Sequence, residues 1–224
     1  MSNARKRILQ RIQTALNTDT PPIAAADASP QHLPANETIL RAYRQRDESS
    51  RDDMINRFVE RVTEYKAVVR RVEEGQLASA IAESLAARGV ERLVIAADLP
   101  GEWLPPTLTL LRDDGDLSYE TLGSSHGVLT ACALGIAQTG TIVLDHGPLQ
   151  GRRAISLVPD YHLCIVRADQ IVGLMPEAMP QLEAAVRAGR PITFISGPSA
   201  TSDIELNRVE GVHGPRTLEV LVVI

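Results

Sequence analysis

The chain has 224 residues, enough for one domain with a sizeable core or for two small domains. Hydrophobic residues make up 44% and charged residues 23%, which is the composition of a folded protein rather than a disordered one. The net charge of −5 gives no general attraction to phosphate backbones, and no basic stripe with interleaved aromatic residues is present. Nucleic acid is therefore not expected as a partner.

Residue types that bind cofactors are scarce. Cys132 and Cys164 are the only cysteines, and neither has the spacing of a zinc or iron–sulfur ligand set. Lys6 and Lys66 are the only lysines, so no later lysine can form a Schiff base or bind a nucleotide phosphate. An anion bound by the later part of the chain must be held by arginine, hydroxyl or backbone N–H groups.

The N-terminal region differs from the rest. Residues 3–16 predict a basic amphipathic helix, and residues 17–38 predict an extended arm. Such a helix can contact a membrane surface or a partner, but packing on its own domain or on another copy in a homo-oligomer is favoured, because one short helix has weak membrane affinity. We assign residues 1–50 to this helix and arm, and residues 51–224 to an α/β domain. The sequence shows no signal peptide and no apolar stretch long enough to span a bilayer, so a cytoplasmic protein is expected.

Helices and strands alternate from residue 52 onward. The spacing of apolar residues predicts a helix over Met54–Val62, a strand over 67–72, a helix around Leu77–Leu85 and a strand over 92–97. A strand, a helix and a second strand in this order predict a right-handed crossover within a parallel sheet.

The second half continues this pattern with more turns. Residues 124–147 predict a short helix and two apolar pieces that break at Thr139-Gly140; strands are predicted over 161–167, 192–196 and 217–224, with a helix over 176–189. The fold prediction is a three-layer α/β/α domain with at least five mainly parallel strands. Ligands of such domains bind at the carboxyl ends of the strands.

A polar loop follows the strand predicted over 192–196. Gly197 permits a positive φ, and the "SATSDIEL" segment predicts a short helix whose free N–H groups would bind a carboxylate or phosphate. Ser199, Thr201 and Asp203 are the polar candidates, with Asp203 also a candidate catalytic group. Helix capping by Ser202 or Thr201 explains the same residues equally well.

Two further segments carry candidate anion ligands. Thr139 and Thr141 flank Gly140, where a glycine between apolar strands indicates either close approach of a ligand or, more often, a bulge. Arg152 and Arg153 follow two glycines, an arrangement suited to bidentate binding of a carboxylate, although most surface arginines are simply solvated.

His213 lies in a glycine-rich turn beside Gly214, and it is the histidine we expect to have an exposed catalytic role. Ser199, Asp203 and His213 do not indicate a hydrolase triad, because no Gly-x-Ser-x-Gly elbow is present. The histidines have no metal-ligand spacing, and no Gly-x-Gly-x-x-Gly follows a predicted strand.

Three segments, "GIAQTGTIVL", "SLVPDYHLCIV" and "FISGPSATSDIELNRVEGVHGPRTLEVLVV", resemble the lactate-utilisation protein C family, whose defining unit is the LUD domain. The resemblance covers roughly residues 52 to 224. It implies a fold like that of ribose-5-phosphate isomerase, glucosamine-6-phosphate deaminase and CoA transferases. It also implies a role in oxidising L-lactate to pyruvate with two partner proteins that carry iron–sulfur clusters. Many family members have an acid where this chain has Gln138, so a carboxylate base cannot be assigned there.

Three hypotheses follow. In the first, the chain is a subunit of a lactate-oxidising complex whose small-anion site is built from the Thr139-Gly140-Thr141 turn, the 197–203 loop and the 211–215 turn. Arg152 or Arg153 neutralises the carboxylate in this hypothesis, and His213 exchanges a proton. In the second, it is a scaffold subunit without chemistry, and the polar turns form an interface. In the third, it is a stand-alone isomerase or transferase acting on a sugar phosphate or a CoA ester, which the absence of a late lysine disfavours.

Overall fold

Helices and strands alternate along most of the chain. The computed structural model describes residues 6–11, 14, 42–202, 208–210 and 213–224; residues Arg44–Ile224 form one structural unit, and the residues before it form another, in which 6–11 are helical. The helices of the larger unit are α1 (Arg51–Glu64), α2 (Leu77–Ala87), α3 (Tyr119–Gly123), α4 (Arg153–Leu157) and α5 (Met175–Arg187). The strands are β1 (Val68–Val72), β2 (Arg92–Ala96), β3 (Thr109–Asp113), β4 (Gly127–Thr130), β5 (Leu134–Ile136), β6 (Thr141–Leu144), β7 (Tyr161–Arg167), β8 (Ile171–Val172), β9 (Thr193–Ile195), β10 (Ala200–Ser202), β11 (Arg208–Glu210) and β12 (Thr217–Val223).

The main sheet has six strands in the order β1-β12-β7-β4-β2-β3, and every neighbouring pair is parallel. Because all six strands point the same way, their carboxyl ends lie along one edge, which we call the carboxyl edge; the opposite edge is the amino edge. The predicted α/β fold with a mainly parallel sheet is confirmed.

Both faces of the main sheet are buried. On β7, Leu163 and Ile165 pack in one apolar cluster with α2, whereas Cys164 and Val166 pack in a second cluster with α1. Side chains of a strand alternate between its two faces, so this division places α1 and α2 on opposite sides of the sheet. The near-continuous apolar sequence of β7 is explained by this two-sided burial.

A second sheet lies on the α1 side. Its four strands have the order β8-β5-β6-β9, with β6 antiparallel to both of its neighbours. Ile142 and Leu144 of β6 pack toward α1, and Val143 between them packs toward α5. The strand predicted over 192–196 is therefore present as β9, but it belongs to this second sheet and not to the main one.

The polar loop after β9 does not begin with a helix at residues 200–202. These residues form β10, which pairs antiparallel with β11, so their backbone hydrogen bonds go to a neighbouring strand. The prediction that "SATSDIEL" begins a helix is wrong for this part of it. Asp203 lies outside the described residues.

Two glycines allow α1 to approach the β5–β6 hairpin closely. A Cβ on Gly135 would lie 2.9 Å from the Phe58 ring, and a Cβ on Gly140 would lie 2.7 Å from the backbone of Arg61 and Val62. Gly140 also has φ 59°, in the left-handed region. The group that lies close to Gly140 is therefore the backbone of α1.

We expect Gly140→Ala to destabilise the domain more than Gly189→Ala does. Both glycines have positive φ, 59° and 71°, but a Cβ on Gly189 would meet nothing within 4 Å. Gly189→Ala should cost only the conformational penalty, about 1–2 kcal/mol. Gly140→Ala should cost about 1–3 kcal/mol more, because the helix backbone must move. Urea denaturation of both variants measures the difference, and equal losses would contradict the packing role.

Candidate functional site

The chain direction across the main sheet reverses between β2 and β4. From β2 the chain continues outward to β3, whereas from β4 it continues the other way to β7 and β12. In parallel α/β sheets, ligands bind in the crevice outside the carboxyl ends of the strands at such a reversal. A ligand is therefore expected at the carboxyl ends of β2 and β4.

A loop formed by residues 145–151 covers this crevice. The Ala131 N–H, just after β4, donates to the Leu149 carbonyl (3.0 Å), and the Leu149 N–H donates to Oδ2 of Asp98, just after β2 (2.8 Å). His146, Leu149 and Gly151 all have positive φ, between 53° and 63°. Non-glycine residues adopt this conformation only where surrounding contacts impose it.

Side chains hold the loop in this conformation. Gln150 is 3% exposed, and its Oε1 accepts the N–H groups of Asp145 (2.8 Å) and His146 (3.1 Å). Arg190 donates to Oδ2 of Asp145 at 2.7 Å. Burial raises the pKa of Asp145, but hydrogen bonds from Arg190, Gln150 and the Gly147 N–H outweigh burial and leave that pKa lowered. The Asp145 carboxylate is therefore ionised.

One side of the loop forms a cleft of about 450 Å³, which we call the arginine cleft. It is lined by residues that follow β2 and β3, by loop residues, and by the start of α4: Ala96, Ala97, Asp98, Asp113, Asp114, Gly115, His146, Gly147, Gly151, Arg152, Arg153, Arg190 and Pro191.

The arginines of this cleft have different partners. Arg152 donates to the fully buried Asp113 carboxylate (2.7 Å) and to the Leu117 carbonyl (2.5 Å), and Arg190 is paired with Asp145. Arg153 is exposed and makes no hydrogen bond or ion pair with the described residues. The guanidinium of Arg153 is therefore available to a ligand.

His146 adjoins Arg153 in the arginine cleft. Its Nδ1 contacts the Gly151 carbonyl (2.9 Å), which can only accept, so Nδ1 carries the proton and Nε2 accepts from the Thr193 hydroxyl (2.9 Å). Burial lowers the pKa of His146; the bond to Gly151 opposes this, and the charge of Arg153 lowers the pKa further. A neutral His146 links the loop to β9.

The other side of the loop forms a cleft of about 360 Å³, which we call the tryptophan cleft. Its lining includes Trp103, Cys132, Leu149, Gln150, Arg167 and Gln170. Cys132 is 3% exposed, and its pKa is raised by its hydrogen bond to Cys164 and by burial. The Cys132 thiol is thus protonated and a weak nucleophile.

A third cavity, of about 250 Å³, lies at the amino edge. This amino-edge cavity is lined by His162, near the start of β7, by residues of the polar loop, including Gly197 and Ser199, and by His213 and Gly214. Ser199 Oγ accepts the His213 N–H at 3.1 Å. His162 is 1% exposed, and its Nε2 contacts the Thr130 hydroxyl at 2.8 Å.

The structure divides the predicted site residues between two regions. Gly197, Ser199, His213 and Gly214 line the amino-edge cavity, and a hydroxyl chain from Thr139 through Thr141 to Ser196 runs beside it, with distances of 2.7 and 2.8 Å. Thr201 lies on β10. Arg152 and Arg153 line the arginine cleft at the other end of α4, whose Ser156 and Leu157 line the amino-edge cavity. The arginines and His213 therefore do not share a cavity, and their predicted roles remain predictions.

Sequence reasoning did not identify His146, Gln150 or Trp103 as site residues. The signal for the first two was present in "DHGPLQGRR", where two glycines and a proline indicate a structured turn beside a strand end. For Trp103 no pattern in the sequence indicated proximity to Cys132 or Gln170.

Comparison with known proteins identifies the family. The LUD domain model matches residues 108–223. A relative described as lactate utilization protein C, from Deinococcus radiodurans, is 48% identical over 174 residues, covering 78% of this chain and 81% of the relative. The chain belongs to the LUD-domain family.

Other members support the assignment. A lactate utilization protein C from Halalkalibacterium halodurans is 26% identical over 220 residues, covering 93% of this chain and 95% of that protein. The crystal structure of a DUF162 family protein from Deinococcus radiodurans matches with a TM-score of 0.69 and 41% identity, covering 79% of this chain and 99% of that one. The family resemblance predicted from three short segments is confirmed.

The described part of this LUD-domain chain contains no group of three or more His, Cys, Asp or Glu residues arranged to hold a metal ion. No helix within the same described residues is long and apolar enough to cross a membrane.

Because the pKa of His146 is lowered in the folded chain, His146 should make the folding stability depend on pH. Its folded pKa is lowered below the usual value of about 6.5, so near and below that pH the unfolded chain binds more protons than the folded one. The contribution is therefore present above about pH 6.5 and is lost as the pH falls toward the folded pKa. We expect the melting temperature of His146→Asn to fall less than that of the unmodified chain between pH 7.5 and 5.5, because asparagine tolerates positive φ and does not titrate.

The effect of Arg153 on the pKa of His146 can be measured directly by NMR titration of the imidazole. Arg153→Gln removes a nearby positive charge and should raise the pKa of His146. An unchanged or lowered pKa in that variant would contradict the placement of Arg153 beside the ring.

Proposed function

We propose that the chain is a cytoplasmic subunit of an L-lactate utilisation system and binds the small carboxylate of that system in the arginine cleft. The observation that carries this proposal is Arg153, which lines a cleft at the carboxyl edge of the main sheet and whose guanidinium has no partner among the described residues. The names of the relatives supply the substrate class: lactate utilization protein C.

Arg153 is suited to this task by its surroundings. A guanidinium binds a carboxylate through two parallel N–H···O bonds, which fixes the orientation of the anion as well as its position. His146 adds no competing charge because it is neutral. Arg152 and Arg190 are paired with Asp113 and Asp145, whereas Arg153 has no ion-pair partner among the described residues. Arg153 is therefore the guanidinium that can bind a monoanion, in a cleft that Asp98 and Asp114 also line.

Oxidation of L-lactate to pyruvate removes two electrons and two protons. We assign Asp98 to receive the hydroxyl proton, since Asp98 lines the arginine cleft and, among the described residues, only its Oδ2 accepts a hydrogen bond, from the Leu149 N–H. The Cα hydrogen leaves together with the two electrons as a hydride equivalent, which no side chain of this chain can accept, so it passes to an oxidant carried by a partner protein. Two cysteines do not suffice for an iron–sulfur cluster, which is normally held by four thiolates, so we place the clusters on two partner proteins.

Thermal-shift titration tests the binding step. L-lactate or pyruvate at about 100 times its Kd should stabilise the chain by about 2.7 kcal/mol. Arg153→Gln should weaken binding roughly tenfold to a hundredfold, because it removes a charge-assisted hydrogen bond worth about 1.5–3 kcal/mol. Arg187→Gln is the matched control, since Arg187 is exposed and paired with Glu183 on α5, away from the cleft.

Reconstitution with the iron–sulfur partners tests the role in the complex. Lactate oxidation should fall at least about tenfold with Arg153→Gln and remain unchanged with Arg187→Gln. Full activity of the Arg153→Gln complex would contradict the proposal and would favour the scaffold hypothesis. Turnover of a sugar phosphate or a CoA ester by the isolated chain would favour the third hypothesis.

A further inference from the structure

The tryptophan cleft offers hydrogen-bond donors but few free acceptors. Gln150 illustrates this imbalance: its Oε1 already accepts two backbone N–H groups, while its Nε2 donates one hydrogen to Asp145 Oδ1 at 2.7 Å. An amide nitrogen has two hydrogens. The second N–H of Gln150 has no acceptor among the residues that the structure describes.

Gln170 shows the same imbalance. Its Oε1 accepts from the Arg167 N–H (2.9 Å) and from the Cys132 thiol (3.6 Å), and its Nε2 donates one hydrogen to the Cys132 carbonyl (2.9 Å). Within the described part of the chain, its second N–H is likewise left over. Gln150 and Gln170 both line the tryptophan cleft, and each retains one N–H that no described residue accepts.

The charges in this cleft are compensated. Arg167 binds both carboxylate oxygens of Glu74 outside the cleft, and Asp145 is paired with Arg190. A charged ligand would therefore gain little from this cleft. The remaining lining includes the apolar side chains of Leu134, Ile165 and Leu182, the flat indole of Trp103, and the polar side chain of Gln181.

These observations define the chemistry of a ligand. It must offer acceptors to the two amides, carry no charge, and present a flat apolar face to the indole. We propose that the tryptophan cleft binds an uncharged planar ring with two carbonyl oxygens, as found in a quinone or in the pyrimidinedione part of a flavin. The site is separate from the arginine cleft and does not depend on the proposed lactate function.

Trp103 is the only tryptophan of the chain, so its fluorescence reports on this cleft alone. Duroquinone is the first probe, because its ring carbons are fully substituted and do not add to thiols. We expect saturable quenching of Trp103 at micromolar duroquinone, beyond the collisional quenching of N-acetyltryptophanamide under the same conditions. Riboflavin, titrated in the same way, distinguishes a flavin-like ring from a quinone. Absence of saturable quenching with both probes would overturn the proposal.

Calorimetry separates recognition of the carbonyls from general apolar binding. Durene has the methylated ring of duroquinone without its carbonyls. We expect Gln170→Glu, which replaces the amide donor by an acceptor of similar size, to weaken duroquinone at least about tenfold and to leave durene unchanged. Equal weakening of both ligands, or durene binding as tightly as duroquinone to the unmodified chain, would contradict the role of the amides.

The unmodified chain supplies a test even if Gln170→Glu fails to fold, since the comparison of duroquinone with durene needs no variant. Gln181→Glu is the matched control for the substitution: Gln181 also lines the cleft, but its amide donates to the Glu177 carbonyl of its own helix at 3.5 Å. Duroquinone binding should change less in this variant than in Gln170→Glu.

Discussion

The contact between α1 and the β5–β6 hairpin determines where the carboxyl-edge clefts can form. The hairpin leaves the main sheet at the end of β4, lies against α1 at Gly135 and Gly140, and leads through β6 directly into the 145–151 loop. A Cβ at either glycine would come within 3 Å of α1, so the hairpin or the helix would have to shift. The loop would then lose its position over β2 and β4, where Ala131 and Asp98 bind it. The packing of the hairpin against α1 thus positions the polar groups of the 145–151 loop at the carboxyl edge of the main sheet.

The 145–151 loop combines a strained backbone with many hydrogen bonds, some within the loop and some to Asp98 and Arg190. Two non-glycine residues in the left-handed region, His146 and Leu149, together cost roughly 2–6 kcal/mol, which the surrounding contacts must offset. Gln150 and Arg190 supply several of these contacts through buried or charge-assisted hydrogen bonds. Such a loop presents rigid walls to the clefts on its two sides. A rigid wall lowers the entropy lost when a small ligand is bound.

Much of the fold was predictable because, along β7, β12 and the longer helices, the spacing of apolar residues in the sequence matches the residues that are buried in the structure. The second sheet was not, because short apolar runs such as 193–195 have the same pattern whether they pair in parallel or antiparallel. Within the candidate site, Arg153 was predicted from the paired arginines after two glycines. The roles of His146 and Gln150 depend on positive φ values and on contacts with Thr193 and Asp145 that no local pattern specifies. His213 was predicted from its exposed turn, which lies at the amino edge, away from the arginines.

Arg152 and Arg153 are neighbours in sequence, yet among the described residues only Arg152 has an ion-pair partner, and helix geometry explains the difference. They occupy the N-cap and the first position of α4. Successive residues of a helix point about 100° apart, so one guanidinium reaches the buried Asp113 while the other remains over the cleft. Arg153, which is unpaired within the part of the chain that the structure describes, suits the single charge of a small carboxylate. A phosphate dianion would need further positive charge and would be repelled by Asp98 and Asp114 in the same wall. The charge pattern of the arginine cleft therefore favours a hydroxy or keto acid over a sugar phosphate.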